Sequence, residues 1–552
     1  MCGLQIYVIF HLCRINSDSV MGHLRQYILS IPTSRLALFA ACLAVPALLL
    51  NLGKVAFIGD EAIRTLVAFE MKHSGNFIVP TLSGQEYYNK PPLYNWFIYV
   101  SSMLAGHFGE WPTRLTTLVC LALFSFTVYH FVRKPLGNLT AVIMAFMLLT
   151  SGRILFWDSM LGLIDICFSW IVYLNFMILY TMAKEGRWRM MFLTSYVLFS
   201  IAFLLKGLPA VVFQGISILT ALQLHGVLRK KIFSADHWIG LAIGVIPLAT
   251  YYIAFASSVD LAKVFDVLFD QSMQRTATHH GIGKTFLHIF TFPLEQTYHF
   301  LPWSLLIVMT FHPGFMAKVR SNDFVRFNFW MLLTNLPVYW LSVQVYPRYV
   351  LMFIPLFNLI GYYILEQSKT SNPSWWKTFR GVFIGLAAAA WLGTMSLPIA
   401  AEVRSVAGFW WMWIGMGVVL GLTLLGLIWD ESRTFLWMAI ALLGVRCVFD
   451  TAVLPLRSEQ NDVNAIREDC HRLAQQHKGK EIRLYKETFT HQVARCYLSM
   501  YTDQIIRYTD AADSQEVLYL VDTALYPDFP GMRIDSVKIE MNGRLALMQL
   551  QP

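Results

Sequence analysis

Two adjacent carboxylates, Asp60 and Glu61, lie in the stretch FIGDEAIR, directly after an apolar run. A carboxylate in this position either caps a helix or acts as a general base. The residues that follow, AIRTLVAFEMKHSG, have a helical pattern, so capping is a sufficient explanation for Glu61. For Asp60 we favour a chemical role because of the motif that comes next.

That motif is YYNKPPLYNW, in which Lys90 precedes two prolines. Proline favours extended backbone in the residue before it and is well placed to open a helix, so Lys90 is predicted at a helix start. Tyr87, Tyr88 and Trp96 surround it, and such aromatic residues collect at membrane–water interfaces. A cation there suits a phosphate group, and a snorkelling lysine is the alternative interpretation.

A third group of charges stands in RILFWDSMLGLID, residues 153–165. Arg153 and Asp158 are predicted at a turn between two apolar runs. Asp165 lies deeper in the next run, where a carboxylate needs a lysine or arginine partner.

Two more segments contain groups that could bind a phosphate. QSMQRTATHHGIGKTF supplies His279, His280 and Lys284 in a basic, glycine-flanked loop. The adjacent histidines are candidate metal ligands, but two ligands do not make a site. QVYPRYVLMFIP holds Arg348 and Tyr349, which either belong to an aromatic belt or form a second wall of the same cavity.

The composition is that of a membrane protein. Of 552 residues, 56% are hydrophobic and 14% charged, and the mean hydropathy is +0.51. A soluble protein carries about 25% charged residues. The net charge of +9 reflects the basic loops that orient membrane proteins, so no nucleic-acid partner is predicted. The predicted class is an all-α polytopic membrane protein with a small α/β domain at the C-terminus.

Thirteen apolar runs have about the length needed to cross a bilayer. They are 36–52, 112–131, 139–156, 159–182, 190–205, 208–226, 237–256, 296–312, 327–344, 347–366, 380–398, 408–429 and 434–453. Basic residues concentrate in the loops that are cytoplasmic if the N-terminus is inside. Two long aromatic-rich outer loops, 53–111 and 257–295, are predicted to lie on the membrane and to build a site there.

The predicted domain organisation has three parts. Residues 1–35 form a cytoplasmic segment, of which 1–20 are interpreted as an upstream start because Met21 opens a second one. Residues 36–454 form the transmembrane domain. Residues 455–552 form an extracytoplasmic domain with strands in EIRLYKE, EVLYLVD and RIDSVKIEMNGRLALMQL and a helix in NDVNAIREDCHRLAQQHKG. Cys470 and Cys496 are candidates for a disulfide in an oxidising compartment.

Together these motifs resemble the C-type integral-membrane glycosyltransferases, in particular the 4-amino-4-deoxy-L-arabinose lipid A transferases and the protein O-mannosyltransferases. The resemblance covers roughly residues 36–365. It rests on the Asp60-Glu61 pair, SGNFIVPTLSGQEYYNKPPLYNW, the turn with Arg153 and Asp158, and YPRYVLMFIP. It implies a multi-pass enzyme of the bacterial inner membrane that takes a sugar from a polyprenyl-phosphate donor, with inversion at the anomeric carbon.

The resemblance also implies roles for individual residues. Asp60 is implied as the catalytic carboxylate, which accepts a proton from the acceptor. Lys90 is implied as the ligand of the donor phosphate and Lys284 as a second phosphate contact. The residues implied to line or support the cavity are Glu61, Arg64, Tyr87, Tyr88, Arg153, Asp158, Arg348 and Tyr349.

The chain departs from the family pattern in three ways. Asn89 replaces a glutamate that contributes to a metal site in the family, so no cofactor is predicted and a divalent metal stays only an alternative. Arg64 is four residues after Asp60, where the family has three. The C-terminal segment differs, so the acceptor is not inherited from the family.

Three functions remain open at this point. The leading one is transfer to lipid A or another envelope glycolipid, and the second is transfer to a protein hydroxyl. The third is a lipid transporter or flippase, which predicts paired half-domains and charges near the membrane midplane. Asp165 is the residue that favours this third function. Membrane lipids are partners in all three.

Overall fold

The computed structural model of the chain describes residues 21–273, 282–459, 461–486, 492–540 and 543–551. The predicted upstream start, residues 1–20, lies outside the described residues. Contacts divide the chain into two compact units. The first comprises Met1–Asn51, Val132–Thr150 and Leu365–Leu456, and the second comprises Leu52–Phe131, Ser151–Ile364 and Arg457–Pro552. The predicted domain boundaries stay predictions.

The first unit is helical. Its helices are Met21–Ser30, Thr33–Leu49, Asn138–Leu149, Pro373–Ser396, Leu397–Ile399, Ala401–Arg404, Phe409–Trp429, Glu431–Arg433, Thr434–Val448 and Phe449–Val453. Charges inside it are paired, as an apolar interior requires. Arg446 Nε donates to Asp450 Oδ2 over 2.7 Å, and Asn51 Nδ2 donates to the Asp450 carbonyl oxygen over 2.7 Å. Three helices have residues in both units, namely Glu110–Leu136, Ile354–Ser371 and Leu454–Glu459.

The second unit contains the two predicted outer loops and further apolar helices. The first loop folds into helix Asp60–Ser74, hairpin Thr81–Leu82 with Gln85–Glu86, and helix Leu93–Ala105. Glycines 75 and 106 end the two helices in the left-handed conformation. The remaining helices before residue 457 are Gly152–Phe156, Asp158–Met160, Ile164–Lys184, Trp188–Lys206, Pro209–Leu224, Leu228–Ile232, Ala235–Ala256, Leu261–Met273, Ile282–His299, Trp303–Phe311, Phe315–Arg320, Asp323–Asn335, Pro337–Trp340 and Pro347–Phe353.

The C-terminal segment of this unit is the predicted α/β domain. Its five strands lie in the order Arg507–Thr509, Ile482–Tyr485, Leu518–Val521, Arg544–Leu550 and Gly531–Lys538. The first three are parallel and the last two join antiparallel. Helices Asp462–Gln476 and Gln492–Thr502 pack together beside the sheet. The NG turn includes Asn542, which lies outside the described residues.

The hydrophobic core of the C-terminal segment continues into the first outer loop. Phe57, Leu66 and Phe69 share one buried cluster with Tyr497 and with Leu518 and Leu520 of the third strand in the sheet. The two segments are therefore packed as one body within the second unit. Cys470 and Cys496 are buried in the same cluster as free thiols, so the disulfide considered from the sequence does not form.

Eight of the described helices are long and apolar enough to cross a membrane, and two bent pairs raise the number to ten. All thirteen apolar runs fall on helices, but the count of thirteen spans is not confirmed. Run 208–226 forms only the 16-residue helix Pro209–Leu224. Run 327–344 is divided before Pro337, since proline removes a backbone donor, and run 296–312 ends in the 3₁₀ helix Trp303–Phe311. The all-α membrane class with a small C-terminal α/β domain is confirmed.

Close helix packing in the second unit depends on two small residues. A Cβ atom on Gly240 would lie 2.8 Å from Phe192 Cβ, and one on Gly244 would lie 2.7 Å from Tyr196 Cβ. The glycines are four residues apart in helix Ala235–Ala256 and allow the backbone of helix Trp188–Lys206 to approach closely.

Gly244→Val is therefore expected to destabilise the protein by about 1–3 kcal/mol, because the added atoms overlap the facing helix. The matched control is Gly215→Val, also in an apolar helix, where a Cβ would meet nothing within 4 Å. The measurement is the thermal unfolding midpoint in detergent. Equal midpoints for the two variants would contradict the packing argument.

Candidate active site

Gly59 sets the direction in which the chain enters helix Asp60–Ser74. Its backbone angles are φ 56° and ψ −122°, a combination that only glycine adopts readily. The turn places the two neighbouring carboxylates in different surroundings. The Asp60 side chain is 55% exposed, whereas the Glu61 side chain is fully buried.

Glu61 is held by four hydrogen bonds. Arg114 donates twice, from Nη2 to Oε1 over 2.7 Å and from Nε to Oε2 over 3.1 Å. The backbone N–H groups of Ile58 and Gly162 each donate over 2.8 Å. The remaining Arg114 donors bind the carbonyl oxygens of Leu52, Val55 and Ala56. Both charges are thus compensated, and Glu61 connects the helix start to two distant parts of the chain.

Neither carboxylate is the N-cap residue of the helix, because that residue is Gly59, which makes no side-chain cap hydrogen bond. The capping role expected for Glu61 is therefore replaced by its ion pair with Arg114. Asp60 has a different partner, Arg348, whose Nη2 donates to Asp60 Oδ2 over 2.9 Å. The Nε atom of the same arginine lies 3.1 Å from Asp165 Oδ2. One guanidinium group therefore joins an exposed carboxylate to a buried one.

Asp165 has the basic partners that its depth requires. Lys206 Nζ donates to Asp165 Oδ1 over 2.5 Å, and Arg348 is the second partner. The Lys206 ammonium also lies 3.9 Å from the ring centroid of Tyr349. Tyr349 thus packs behind the site, against the lysine that pairs with Asp165.

A cavity of about 700 Å³ opens beside Asp60. Its other lining residues are Ile63, Arg64, Tyr87, Asn89, Lys90, His288, Glu295, Val343, Gln344, Val345, Tyr346 and Gln492. This volume lies in the range of small-molecule binding sites. The structure thus brings Asp60, Arg64, Tyr87 and Lys90 together, as the sequence motifs predict.

The hairpin before Lys90 delivers that residue to the cavity. Tyr87 N donates to the Pro80 carbonyl oxygen over 2.8 Å, and Arg64 Nη2 donates to the Tyr87 hydroxyl over 3.3 Å. Lys90 follows before Pro91 and Pro92, and helix Leu93–Ala105 begins directly after them. The prolines therefore end the hairpin segment and open the helix.

Tyr88 points to a neighbouring apolar cluster. Its ring centroid lies 6.1 Å from that of Phe255, and its hydroxyl donates to Glu86. Burial and the adjacent Glu86 carboxylate raise the pKa of Tyr88 to about 12. Tyr88 supports the segment instead of lining the cavity beside Asp60.

Arg153 and Asp158 pair with each other, from Nε to Oδ2 over 3.1 Å. Asp158 is buried, and neither residue lines the cavity beside Asp60. The pair links helix Gly152–Phe156 to the 3₁₀ turn Asp158–Met160.

Helix Ile282–His299 contributes His288 and Glu295 to the cavity. The predicted metal candidates His279 and His280 lie outside the described residues. Lys284 falls in the first turn of this helix, but its side chain is outside the described part of the structure. Among the residues that the structure describes, no three His, Cys, Asp or Glu side chains are grouped so that they could hold a metal.

Several site residues were missed from the sequence. Lys206 directly follows the apolar run 190–205 and belongs to none of the motifs described above. His288 and Glu295 are seven residues apart, which is about two helical turns, and that spacing is a detectable sign of a shared face. Gln492 belongs to the C-terminal segment, and no local pattern connects it to Asp60.

Chemically, the site combines two carboxylates, Asp60 and Glu295, with several cationic side chains. Arg64 and Lys90 line the cavity, and Arg348 contacts Asp60 itself. Such a set can bind an anionic group and accept a proton beside it. The cavity also has neutral polar side chains, from Asn89, Gln344 and Gln492, that can bind hydroxyl groups.

The chain is similar in sequence to one protein family and to a curated protein. Residues 89–253 match the family model described as dolichyl-phosphate-mannose-protein mannosyltransferase. An uncharacterized protein of Aquifex aeolicus (strain VF5) is 21% identical over 331 residues, which are 59% of this chain and 64% of that protein. The chain thus matches less than two thirds of the length of this curated relative.

Two solved structures have the same fold. ArnT from Cupriavidus metallidurans bound to undecaprenyl phosphate has a TM-score of 0.67 and 18% identity, covering 95% of this chain and 100% of that one. The apo form has a TM-score of 0.66 and 16% identity, covering 93% and 98%. These matches confirm the fold that the resemblance implies, and the family match over residues 89–253 agrees with that resemblance.

The two neighbouring carboxylates are expected to differ in their effect on stability. Glu61→Ala leaves the Arg114 charge buried and uncompensated, which costs about 3–5 kcal/mol. Asp60→Asn changes a side chain that is more than half exposed, so a change within about 0.5 kcal/mol is expected. Thermal unfolding of both variants measures the difference. A Glu61→Ala midpoint as high as that of Asp60→Asn would show that the ion pair contributes little.

Proposed function

We propose that the protein is a membrane glycosyltransferase that moves a sugar from a polyprenyl-phosphate donor to an acceptor hydroxyl. The observation that carries the proposal is the position of Asp60, which is exposed at a cavity that Arg64 and Lys90 also line. An exposed carboxylate among cations suits a reaction in which a proton is taken up next to a departing phosphate.

In the proposed reaction, Asp60 accepts the proton of the acceptor hydroxyl while that oxygen attacks the anomeric carbon. The bond between this carbon and the phosphate oxygen breaks, and polyprenyl phosphate leaves with the bonding electrons. Attack from the face opposite the leaving group inverts the anomeric carbon. The products are the glycosylated acceptor, the free polyprenyl phosphate and a protonated Asp60, which then returns its proton to water.

Lys90 and Arg64 stabilise the charge that develops on the leaving phosphate. Fixed cations are most effective where charge grows in the transition state, because they need no reorganisation at that moment. Arg348 holds Asp60 in place through the 2.9 Å contact and is itself anchored by Asp165. Lys284 is proposed as a second phosphate contact.

The donor class is supported by the solved relative of the same fold that binds undecaprenyl phosphate. The leading candidate acceptor from the sequence motifs, lipid A or a related envelope glycolipid, is kept as the proposed acceptor, and the proposed location is the outer face of the bacterial inner membrane. The proposed orientation has the N-terminus in the cytoplasm and the C-terminal segment outside.

A protein hydroxyl is the second candidate acceptor. The observation that favours it is the family match over residues 89–253, since that family is described by transfer of mannose to protein. The candidates share the donor chemistry, so Asp60 and Lys90 have the same roles in each.

Asp60→Asn and Lys90→Ala are each expected to lower sugar transfer by at least about 100-fold, because each removes a group that acts in the transition state. The assay incubates purified protein with radiolabelled polyprenyl-phosphate sugars and with envelope glycolipid or protein acceptors. The matched control is Asp503→Asn, which removes an exposed carboxylate paired with His73 outside the cavity and should leave transfer unchanged.

The outcomes separate the candidate functions. Transfer that survives both Asp60→Asn and Lys90→Ala would refute the mechanism. Absence of transfer from every lipid-linked donor, together with lipid translocation in vesicles, would establish a flippase instead. The acceptor that becomes labelled distinguishes the glycolipid from the protein substrate.

A further inference from the structure

The hairpin that precedes the cavity residues is held by a buried carboxylate on one side. Glu70 accepts hydrogen bonds from Thr81 Oγ1 over 2.7 Å, from Ser83 N over 2.6 Å and from Gly84 N over 3.1 Å. Burial raises the pKa of Glu70, and these three donors oppose the shift. Helix Asp60–Ser74, which carries Asp60 at its first position, therefore also fixes the tip of the hairpin.

The C-terminal segment holds the same hairpin on the other side. Arg495 Nη1 donates to Ser83 Oγ over 3.0 Å, and Tyr508 N donates to the Ser83 carbonyl oxygen over 3.2 Å. Arg495 is only 2% exposed. A Cβ atom on Gly84 would lie 3.2 Å from Arg507 Cγ, so the turn and the C-terminal segment are in close contact.

The turn needs such support because of its backbone. Ser83 has φ 56° and Gly84 has φ 75°, so both central residues are left-handed, as in a two-residue hairpin turn. A serine in this region costs on the order of 1 kcal/mol or more, and the surrounding contacts must hold it there. Ser83 is the residue that both Glu70 and Arg495 contact.

The same hairpin leads to the two residues that line the cavity on the side of the proposed phosphate contact. Its second strand, Gln85–Glu86, leads directly to Tyr87, and Lys90 follows three residues later. Both side chains line the cavity beside Asp60. Because only six residues separate Ser83 from Lys90, we expect that a change in the backbone position of the Ser83 turn moves Lys90 relative to Asp60.

We infer that Arg495 is a positioning residue for donor binding, and that the C-terminal segment acts through it to hold the hairpin that presents Lys90. This inference rests on the proposed function for its kinetic readout. The C-terminal segment would then take part in donor binding. Gln492, at the start of the helix that carries Arg495, also lines the cavity.

The kinetic test compares Arg495→Met, Arg495→Lys and Ser83→Ala with the wild type. The expected result for Arg495→Met and Ser83→Ala is a KM for the polyprenyl-phosphate sugar raised at least about fivefold, with kcat within about twofold. Arg495→Lys keeps the charge and should restore part of the loss. The control is Arg472→Met, which removes contacts to Asp469 and Asp535 within the same segment and should leave KM unchanged.

A second measurement does not need enzymatic activity. Hydrogen–deuterium exchange of the wild type and variants without substrate should show faster exchange in residues 81–90 for Arg495→Met and Ser83→Ala, but not for Arg472→Met. If the wild type transfers no sugar, the proposed function fails while this exchange pattern still tests the hairpin contact.

The inference is overturned if Ser83→Ala and Arg495→Lys leave both KM and exchange at the wild-type level. It is also overturned if Arg472→Met raises KM as much as Arg495→Met, because the effect would then be a general loosening of the segment. Should Arg495→Met fail to fold, Ser83→Ala decides the matter, since it deletes only the hydroxyl that Arg495 contacts.

Discussion

The buried ion pair between Glu61 and Arg114 is the interaction on which the site depends. Its carboxylate binds backbone at Ile58 and Gly162, and its guanidinium binds three carbonyl oxygens before the helix. The pair therefore fixes where helix Asp60–Ser74 begins. Since buried charges are tolerated only when their hydrogen-bonding capacity is filled, this geometry has few alternatives. Because Glu61 is fixed, the position of the adjacent Asp60 is fixed as well, while its side chain remains exposed.

Arg348 provides a second constraint on the position of Asp60. It lies between the exposed carboxylate of Asp60 and the buried carboxylate of Asp165, and Lys206 balances the latter. This alternation of charges keeps two carboxylates and two cations together without a large net charge. It also gives Asp165 a structural explanation that does not require transport, because a charge with basic partners is stable in an apolar environment.

The fold was largely predictable from the sequence, and the local part of the site was too. Apolar runs indicated the helices, and alternation with turn residues indicated the C-terminal strands. FIGDEAIR and YYNKPPLYNW identified Asp60 and Lys90, which the structure places at one cavity. The number of spans was not predictable, because hydropathy does not distinguish a long α-helix from a shorter or divided one.

What could not be predicted were the pairings across the chain. Glu61 and Arg114 are 53 residues apart, and Asp165 and Lys206 are 41 apart, so no local spacing reveals either pair. The contribution of the C-terminal segment was hidden for the same reason. The roles suggested for His279, His280 and Lys284 stay predictions, since the described residues and side chains do not include them.

Gly59 has a consequence for how this region can vary. A Cβ at this position would meet nothing within 4 Å, so the requirement for glycine comes from backbone torsion and not from lack of space. Positions 59, 60 and 61 are thus constrained for three unrelated reasons, which are the backbone torsion of Gly59, the proposed chemistry of Asp60 and the burial of the Glu61 charge. A deep mutational scan that records abundance and activity separately would resolve them as three distinct profiles on consecutive residues.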